Sequence, residues 1–276
     1  MRYFLLLFMS CVPLYLPAQG DPFFNSQWWM GIKGGVNLSR FEVLESHGVY
    51  TLLTPDLQVN YEKNYESFER YGSQIGLPVM FNHKSGLSVA IEPTLIIMNM
   101  GYKTQYAWQE SGQELLLDYT HRVNFRYLET SLLIRYMPIA TRLRPYVMAG
   151  AYYGMLLQAD KYAEVNSYDA ASGAVNSVQN NAPVIGAKDL FIRSNWGFTG
   201  GLGVSFDAGN VRLALQALYK YGMNNITNVR NRYADNRLIG QGEAFDDLRT
   251  ENIEISFSCL FPMKFLETGS YRRVKY

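Results

Sequence analysis

Tyr127-Leu128-Glu129-Thr130-Ser131-Leu132-Leu133-Ile134-Arg135-Tyr136 reads as one strand with two unlike faces. Leu128, Thr130, Leu132, Ile134 and Tyr136 fall on one side of an extended chain, and Tyr127, Glu129, Ser131, Leu133 and Arg135 on the other. Side chains alternate with period two in a strand, so one face is oily and the other carries a carboxylate and a guanidinium. This is the pattern of a strand that crosses a bilayer with its greasy face toward lipid. The rest of the chain can be arranged around it as a single closed barrel.

Composition agrees with one large all-β domain. The chain has 276 residues, 14% aromatic with 21 Tyr, and only 18% charged, a low charge content for a water-exposed surface. Beyond the N-terminus the apolar runs are short, Leu95-Ile96-Ile97-Met98 being typical of the longest. A membrane helix needs about 20 apolar residues. With no such run, only a closed barrel can satisfy the backbone of this chain inside a bilayer.

Residues 1–18 have the form of a secretory signal: Arg2, an apolar core from Phe4 to Leu16, and a Leu16-Pro17-Ala18 cleavage site before Gln19. Cys11 falls in this segment, where Phe8-Met9-Ser10 is a poor lipoprotein lead-in. Loss of Arg2 leaves 24 basic residues against 24 acidic ones, a balance that does not favour nucleic acid. Loss of Cys11 leaves Cys259 alone, so neither an internal disulfide nor a cysteine metal cluster is expected. Residues 19–262 then form the barrel domain, and 263–276 a basic tail with Lys264, Arg272, Arg273 and Lys275.

Alternation places eight strands. They run Trp29–Ser39, Tyr71–Phe81, Leu87 to beyond Met98, the opening stretch, Pro145–Gln158, Ser194–Phe206, Val211–Gly222 and Glu251–Phe261. Leu213 and Leu215 share the oily side of the seventh, and Ile253, Ile255 and Phe257 that of the eighth. With Leu128, Leu132 and Ile134 these are the expected lipid-facing residues. The fifth strand, rich in Gly, Ala and Tyr, does not declare its facing. Pro78 and Pro93 lie inside strands where a closed barrel has no free edge, so local bulges are expected there.

The connections supply an independent argument. Long polar segments (about 40–70, 101–122, 160–188 and 223–248) alternate with short turns at Asn82–Gly86, Met137–Arg144 and Asp207–Asn210. The arms of the second long segment can extend its neighbouring strands above the membrane. Four long and three short links join eight strands, and an even number returns both ends to the periplasm. The expected fold is therefore all-β: an eight-stranded antiparallel up-and-down transmembrane β-barrel with long extracellular loops and short periplasmic turns.

Three stretches also resemble a known family. Met30-Gly31-Ile32-Lys33-Gly34-Gly35-Val36-Asn37-Leu38-Ser39, the opening stretch, and Tyr219-Lys220-Tyr221-Gly222-Met223-Asn224-Asn225-Ile226 are similar to PorT-like outer-membrane β-barrel proteins of the Bacteroidota. The resemblance spans most of the chain after residue 18. It implies an outer-membrane barrel of about eight strands and brings no catalytic residues. The family's name-giving member belongs to a type IX protein-secretion system. One departure is that the last strand ends near Phe261 and a tail follows, whereas barrels commonly finish on a terminal aromatic.

The inward charges are Lys33, Glu92, Glu129, Arg135, Arg212, Lys220 and Glu254. They read either as a solute path or as a structural core of paired charges. The second fits better, because an eight-stranded interior is just wide enough for side chains to fill it, and charges there persist when paired. His47, His83 and His121 show no triad spacing, and no catalytic site is expected. Asp246-Asp247, Asp160, Asp169 and Asp189 lack a calcium-loop pattern and read as solvated acids. No metal or cofactor is expected.

Trp29, Tyr136, Tyr146, Trp196, Tyr219 and Tyr221 lie near strand ends and suit an interfacial aromatic girdle. Trp108, beyond a strand end, is the best candidate for touching a partner. The expected partners are outer-membrane lipid and envelope proteins met through loops or tail, with no nucleic acid, and the barrel is expected to be a monomer. The leading functional reading is a surface scaffold or interaction protein without an open pore. The rivals are a component of a type IX secretion apparatus and a soluble, lipocalin-like periplasmic barrel.

Overall fold

A computed structural model describes residues 26–48, 60–110, 113–139, 141–169, 176–181, 184–208, 211–233 and 244–263. The segment assigned above to the signal (1–18) and all of the tail (263–276) except Met263 lie outside the described residues, as does the side chain of Trp108.

Eight staves form a ring. They are β1 (Gln27–Glu45), β2 (Ser67–Gly76, resumed at Val79–Asn82), β3 (Leu87–Glu110), β4 (Gln113–Tyr136), β5 (Leu143–Asp169), β6 (Ser194–Ala208), β7 (Val211–Gly222) and β8 (Asp247–Pro262). Each pairs antiparallel with the next in sequence. β6 bonds back to β5 from Ser194↔Met155 to Phe206↔Leu143. β8 meets β1 from Trp29↔Pro262 to Glu45↔Asp247, which closes the cylinder. Closure leaves every stave with two bonded neighbours, the condition for backbone to stand in hydrocarbon. Among the described residues no helix is long and apolar enough to cross a membrane.

The lower part of each stave carries oil outside. Ile32, Ile75, Val89, Leu132, Val147, Leu202, Leu215 and Ile255 are all exposed. On β3 the outward run from Leu87 to Ile97 is roughly 33 Å of strand, or about 25 Å of height at a ~40° tilt, the expected thickness of a barrel's apolar band. Above that band the polarity of the alternation inverts. Arg122, Asn124 and Arg126 point outward while Val123, Phe125 and Tyr127 are buried. A bulge at Arg126/Tyr127, opposite Leu156–Gln158, marks the change on β4 and β5. The buried oil gathers into a cluster that includes Phe41, Met98, Met100, Tyr102, Phe125, Phe191 and Phe245. This protein therefore keeps its main apolar core above the bilayer.

The inversion explains where the long segments depart from the sequence reading. The stretches 40–70 and 160–188 contain much strand, while 101–122 extends β3 and β4 as its arms were expected to. β3 and β4 pair as far as Glu110↔Gln113, β4 and β5 as far as Leu115↔Asp169. Asn60–Tyr65 adds to the outside of β3, and Asn176–Asn181 to β5. The result is a five-stranded wall on one side of the mouth. The segment between β7 and β8 holds a short 3₁₀ turn, Val229–Asn231.

The prolines cause no bulge. Lys33 stands opposite Gly76 and Met30 opposite Val79, so two residues face two across the Leu77-Pro78 interruption. On the other side Gly76 faces Thr94 and Val79 faces Ile91. Register is kept, and each proline simply loses one rung. Gly31 N–H donates to Pro78 O (3.1 Å) and Leu77 N–H to Pro93 O (2.9 Å), while the reciprocal donors do not exist. Below, Gly86 takes φ +84° in the β2–β3 turn, a conformation that favours glycine.

Candidate functional site: a filled lumen and an anchored outer mouth

The seven charges that alternation puts on the inner face are all buried. They form three layers. At the periplasmic end Arg212 clamps Asp207 with two hydrogen bonds (2.6 and 3.2 Å), and Arg144 reaches the same carboxylate at 3.0 Å. The Arg212 guanidinium lies over the Trp29 ring, 4.3 Å from its centroid, a favourable stack for a planar cation. Asn82, with its amide turned so that both ends are satisfied, donates to Ser88 Oγ (2.8 Å) and accepts from Arg212 and from Trp29 Nε1 (3.3 Å).

In the middle layer Glu92, fully buried, accepts from Lys33 (2.9 Å), from Arg135, and from Gln216 Nε2 (3.2 Å). Arg135 also donates to Gln216 Oε1 (3.2 Å) and lies 5.4 Å over the Tyr146 ring. In the upper layer Lys220 bridges Glu129 and Glu254. Ser131 and Asn252 supply further hydrogen bonds to these two acids, each 3.3 Å, and the Tyr152 ring lies 5.5 Å from the ammonium. Each carboxylate thus meets a cation in a space too narrow for bulk water, the arrangement that buried charge requires.

Over these layers sits the apolar cluster, completed by segments between staves that fold inward. Ala187, Leu190 and Phe191 come from the β5–β6 connection, and Ile226 and Phe245 from the β7–β8 connection. Their backbones are pinned to each other and to the staves: Ala187 N–H to Ala159 O (2.8 Å), Ile192 N–H to Ile226 O (2.7 Å), and Ile226 N–H to Leu248 O (2.8 Å).

At the rim, Asp246 is a hub. It accepts from Lys63 Nζ (2.8 Å), Tyr65 Oη (2.8 Å) and the His47 backbone N–H (2.7 Å). Lys63 also donates to the His47 carbonyl (2.7 Å). The Asp246-Asp247 pair is therefore not a solvated acid pair: Asp246 is buried and Asp247 is held by Arg232. Farther out, Arg249 binds Glu42 (3.2 and 2.5 Å), whose carboxyl is held below its ordinary value chiefly by that hydrogen bond, against the opposing effect of burial.

Several residues stand elsewhere than alternation at strand ends suggested. Trp29 and Tyr146 are buried in the lumen and belong to no girdle, because each is in phase with an inward lysine or methionine rather than with the oily face. Tyr136, Trp196 and Tyr219 are exposed outward, and Trp28, adjacent to Trp29, is the exposed member of that pair. The fifth stave faces Tyr146, Met148, Tyr152 and Leu156 inward and Val147, Tyr153 and Met155 outward. Of the predicted outward residues, Leu128, Leu132, Ile134, Leu215, Ile255 and Phe257 are exposed and Leu213 and Ile253 half-buried. His121 stacks with Tyr102 and with Tyr119 and hydrogen-bonds Thr104 (2.9 Å). His83 lies beside Ser85 (2.8 Å) in the exposed turn.

Sequence reading missed Arg144 and Asp207 in the lumen and Lys63 and Arg232 at the mouth, and took Asp246 for a solvated acid. Asp207 was detectable: period two from Ser205 carries it inward, although its neighbours spell a turn. Lys63, Arg232 and Asp246 come from segments with no alternation to follow.

None of the curated proteins compared matches the chain. Among solved structures, it is similar to Ail, the attachment invasion locus protein of Yersinia pestis, described in complex with the heparin analogue sucrose octasulfate. That match has 14% identity, 85% of this chain and 99% of that one covered, and a TM-score of 0.30. It is also similar to Neisserial surface protein A (9% identity, 83% and 95% covered, TM-score 0.32) and to Escherichia coli outer membrane protein W (13%, 86% and 98%, TM-score 0.36). The sequence model described as "Outer membrane protein beta-barrel domain" matches residues 18–228. With a closed ring of eight staves and oil on its outer face, the chain belongs to the outer membrane protein β-barrel domain family and resides in the outer membrane.

Proposed function

We propose that this barrel is a surface scaffold or interaction protein that conducts no solute. One observation carries the reading: the bore is occupied along its height, first by three layers of paired charge and then by the apolar cluster under inward-folded segments. Eight-stranded barrels of this kind hold side chains where larger ones hold water. What remains available for work is the outside of the mouth, above all the five-stranded wall of Asn60–Tyr65, β3, β4, β5 and Asn176–Asn181. From Met98 upward, β3 offers about 40 Å of strand beyond the apolar band. The barrel acts as a monomer in lipid and meets envelope proteins through this wall, its loops or its basic tail. No catalytic residue or cofactor is assigned.

Planar-bilayer recording of the refolded full chain tests this directly. No large steady conductance is expected, and a stable pore would refute the filled bore. Membership of the PorT-like branch, and with it a place in a type IX secretion apparatus, is a narrower proposal resting on the three similar stretches. Gentle-detergent purification from its native envelope would bring secretion components along if that proposal is right, and would not if it is wrong. An integral outer-membrane barrel is not a soluble periplasmic carrier, so the lipocalin-like alternative is set aside.

A further inference from the structure

We infer that Glu45, His47 and Asp247 form a binding site for a first-row divalent cation, of which zinc is the natural probe. The three residues come together where β1 and β8 end at the outer mouth. A register shift between Val43 and Glu45 sets Glu45 across from Asp247. His47 then turns in so that its Nε2 lies 3.8 Å from Asp247 Oδ2 and 3.9 Å from Glu45 Oε2. One ligand atom from each residue falls within 4.8 Å of the other two.

These separations are too long for hydrogen bonds. They approach the spacing of ligands around one ion: bonds of about 2.0–2.1 Å at tetrahedral angles put ligand atoms ~3.4 Å apart. Among the described residues His47 Nε2 is buried and has no hydrogen-bond partner. A buried ring nitrogen facing two carboxylates is placed to offer its lone pair to a metal.

The surroundings favour the metal. The backbone of His47 is fixed at both ends, its N–H by Asp246 and its carbonyl by Lys63, so the ring is presented rather than left to wander. Asp246 is consumed by that anchoring and does not compete. Arg232 takes Asp247 Oδ1 and leaves Oδ2 for the ion. Glu45 is 71% exposed, so it can close the last half-ångström by rotation. One nitrogen and two carboxylate oxygens suit zinc or a similar transition dication, with water completing the shell. A hard cation such as calcium prefers more oxygen ligands.

The test is a calorimetric zinc titration of the untagged full chain, folded in detergent micelles near neutral pH. One saturable equivalent is expected. His47→Ala should weaken it by at least about tenfold, and Glu45→Gln by a smaller factor. His83→Ala should leave it unchanged. Each variant must keep its heat-dependent gel mobility, and Glu45→Gln, at an exposed side chain, guards against a folding artefact. Absence of saturable zinc binding would overturn the inference. So would zinc binding that survives His47→Ala, or calcium binding as tight as zinc, either of which would indicate a diffuse acidic patch.

Discussion

Removing Lys220 should be among the most damaging single changes in the lumen. Its ammonium is the cation shared by Glu129 and Glu254, which are 3% and 0% exposed. Lys220→Met keeps similar volume but strands two carboxylates. Among the described residues their remaining hydrogen-bond donors are neutral, Ser131 for Glu129 and Asn252 for Glu254, and Glu254 Oε2 has no hydrogen-bond partner. Breaking a buried ion pair from one side costs about 3–5 kcal/mol. With a urea slope of ~2 kcal/mol/M, the midpoint should fall by roughly 2 M. The assay is urea unfolding of the barrel in lipid vesicles, followed by tryptophan fluorescence and checked by heat-dependent mobility. A second variant separates lost charge from lost packing. Lys220→Met combined with Glu129→Gln and Glu254→Gln removes the stranded charges and should recover most of the deficit, since neutral replacement of a whole buried ionic group is often tolerated. An unshifted midpoint in the single variant, or a triple variant no better than the single one, would refute the reasoning.

Other tests address the outer surface. Leu132→Arg puts a cation on the exposed face of β4 near mid-height and should cost about 2–4 kcal/mol, seen as poor insertion and loss of the heat-dependent gel shift. Normal insertion would mean that this face does not meet lipid. Cys259 lies on the same outer side between Phe257 and Phe261. In intact membranes it should resist a water-borne, membrane-impermeant maleimide and react once the protein is unfolded; rapid labelling in membranes would contradict the placement. Because the Glu42 carboxyl is depressed by Arg249, the pair's contribution to stability is present above the ordinary carboxylate range and is lost as pH falls through the lower folded value. The small difference between wild type and Glu42→Gln should therefore vanish in acid, and a difference that grows in acid would be inconsistent with it.

Within the apolar band the sequence announces its structure, because lipid and a crowded bore impose opposite demands on successive residues. Leu128, Glu129, Leu132 and Arg135 show this in a few positions. Above the band the outer solvent is water, so the same alternation carries the opposite meaning. Met98, Met100, Val123 and Phe125 turn inward and Arg122, Asn124 and Arg126 outward. A reading tuned to oil outside takes most such strands for loops, which is why only the arms of segment 101–122 were foreseen as part of the five-stranded wall. Pairing between charges depends on register across the ring, which alternation within one strand does not contain. The join of Lys33 to Glu92, 59 positions apart, belongs to that class. Trp29 and Tyr146 went astray for another reason: an aromatic near a strand end suits either a girdle or the bore, and only its phase decides.

The two missing rungs beside Pro78 and Pro93 bear on how the cylinder could come apart. A seamless hoop has nowhere for a tear to start, since opening any ladder must break bonds held on both sides. Here the absent donors fall next to each other, one between the first and second staves and one between the second and third. Mechanical weakness is thus concentrated along the second stave at a single height. Amide exchange should be fastest there within the band, and pulled from either end, the hoop should part at that line first.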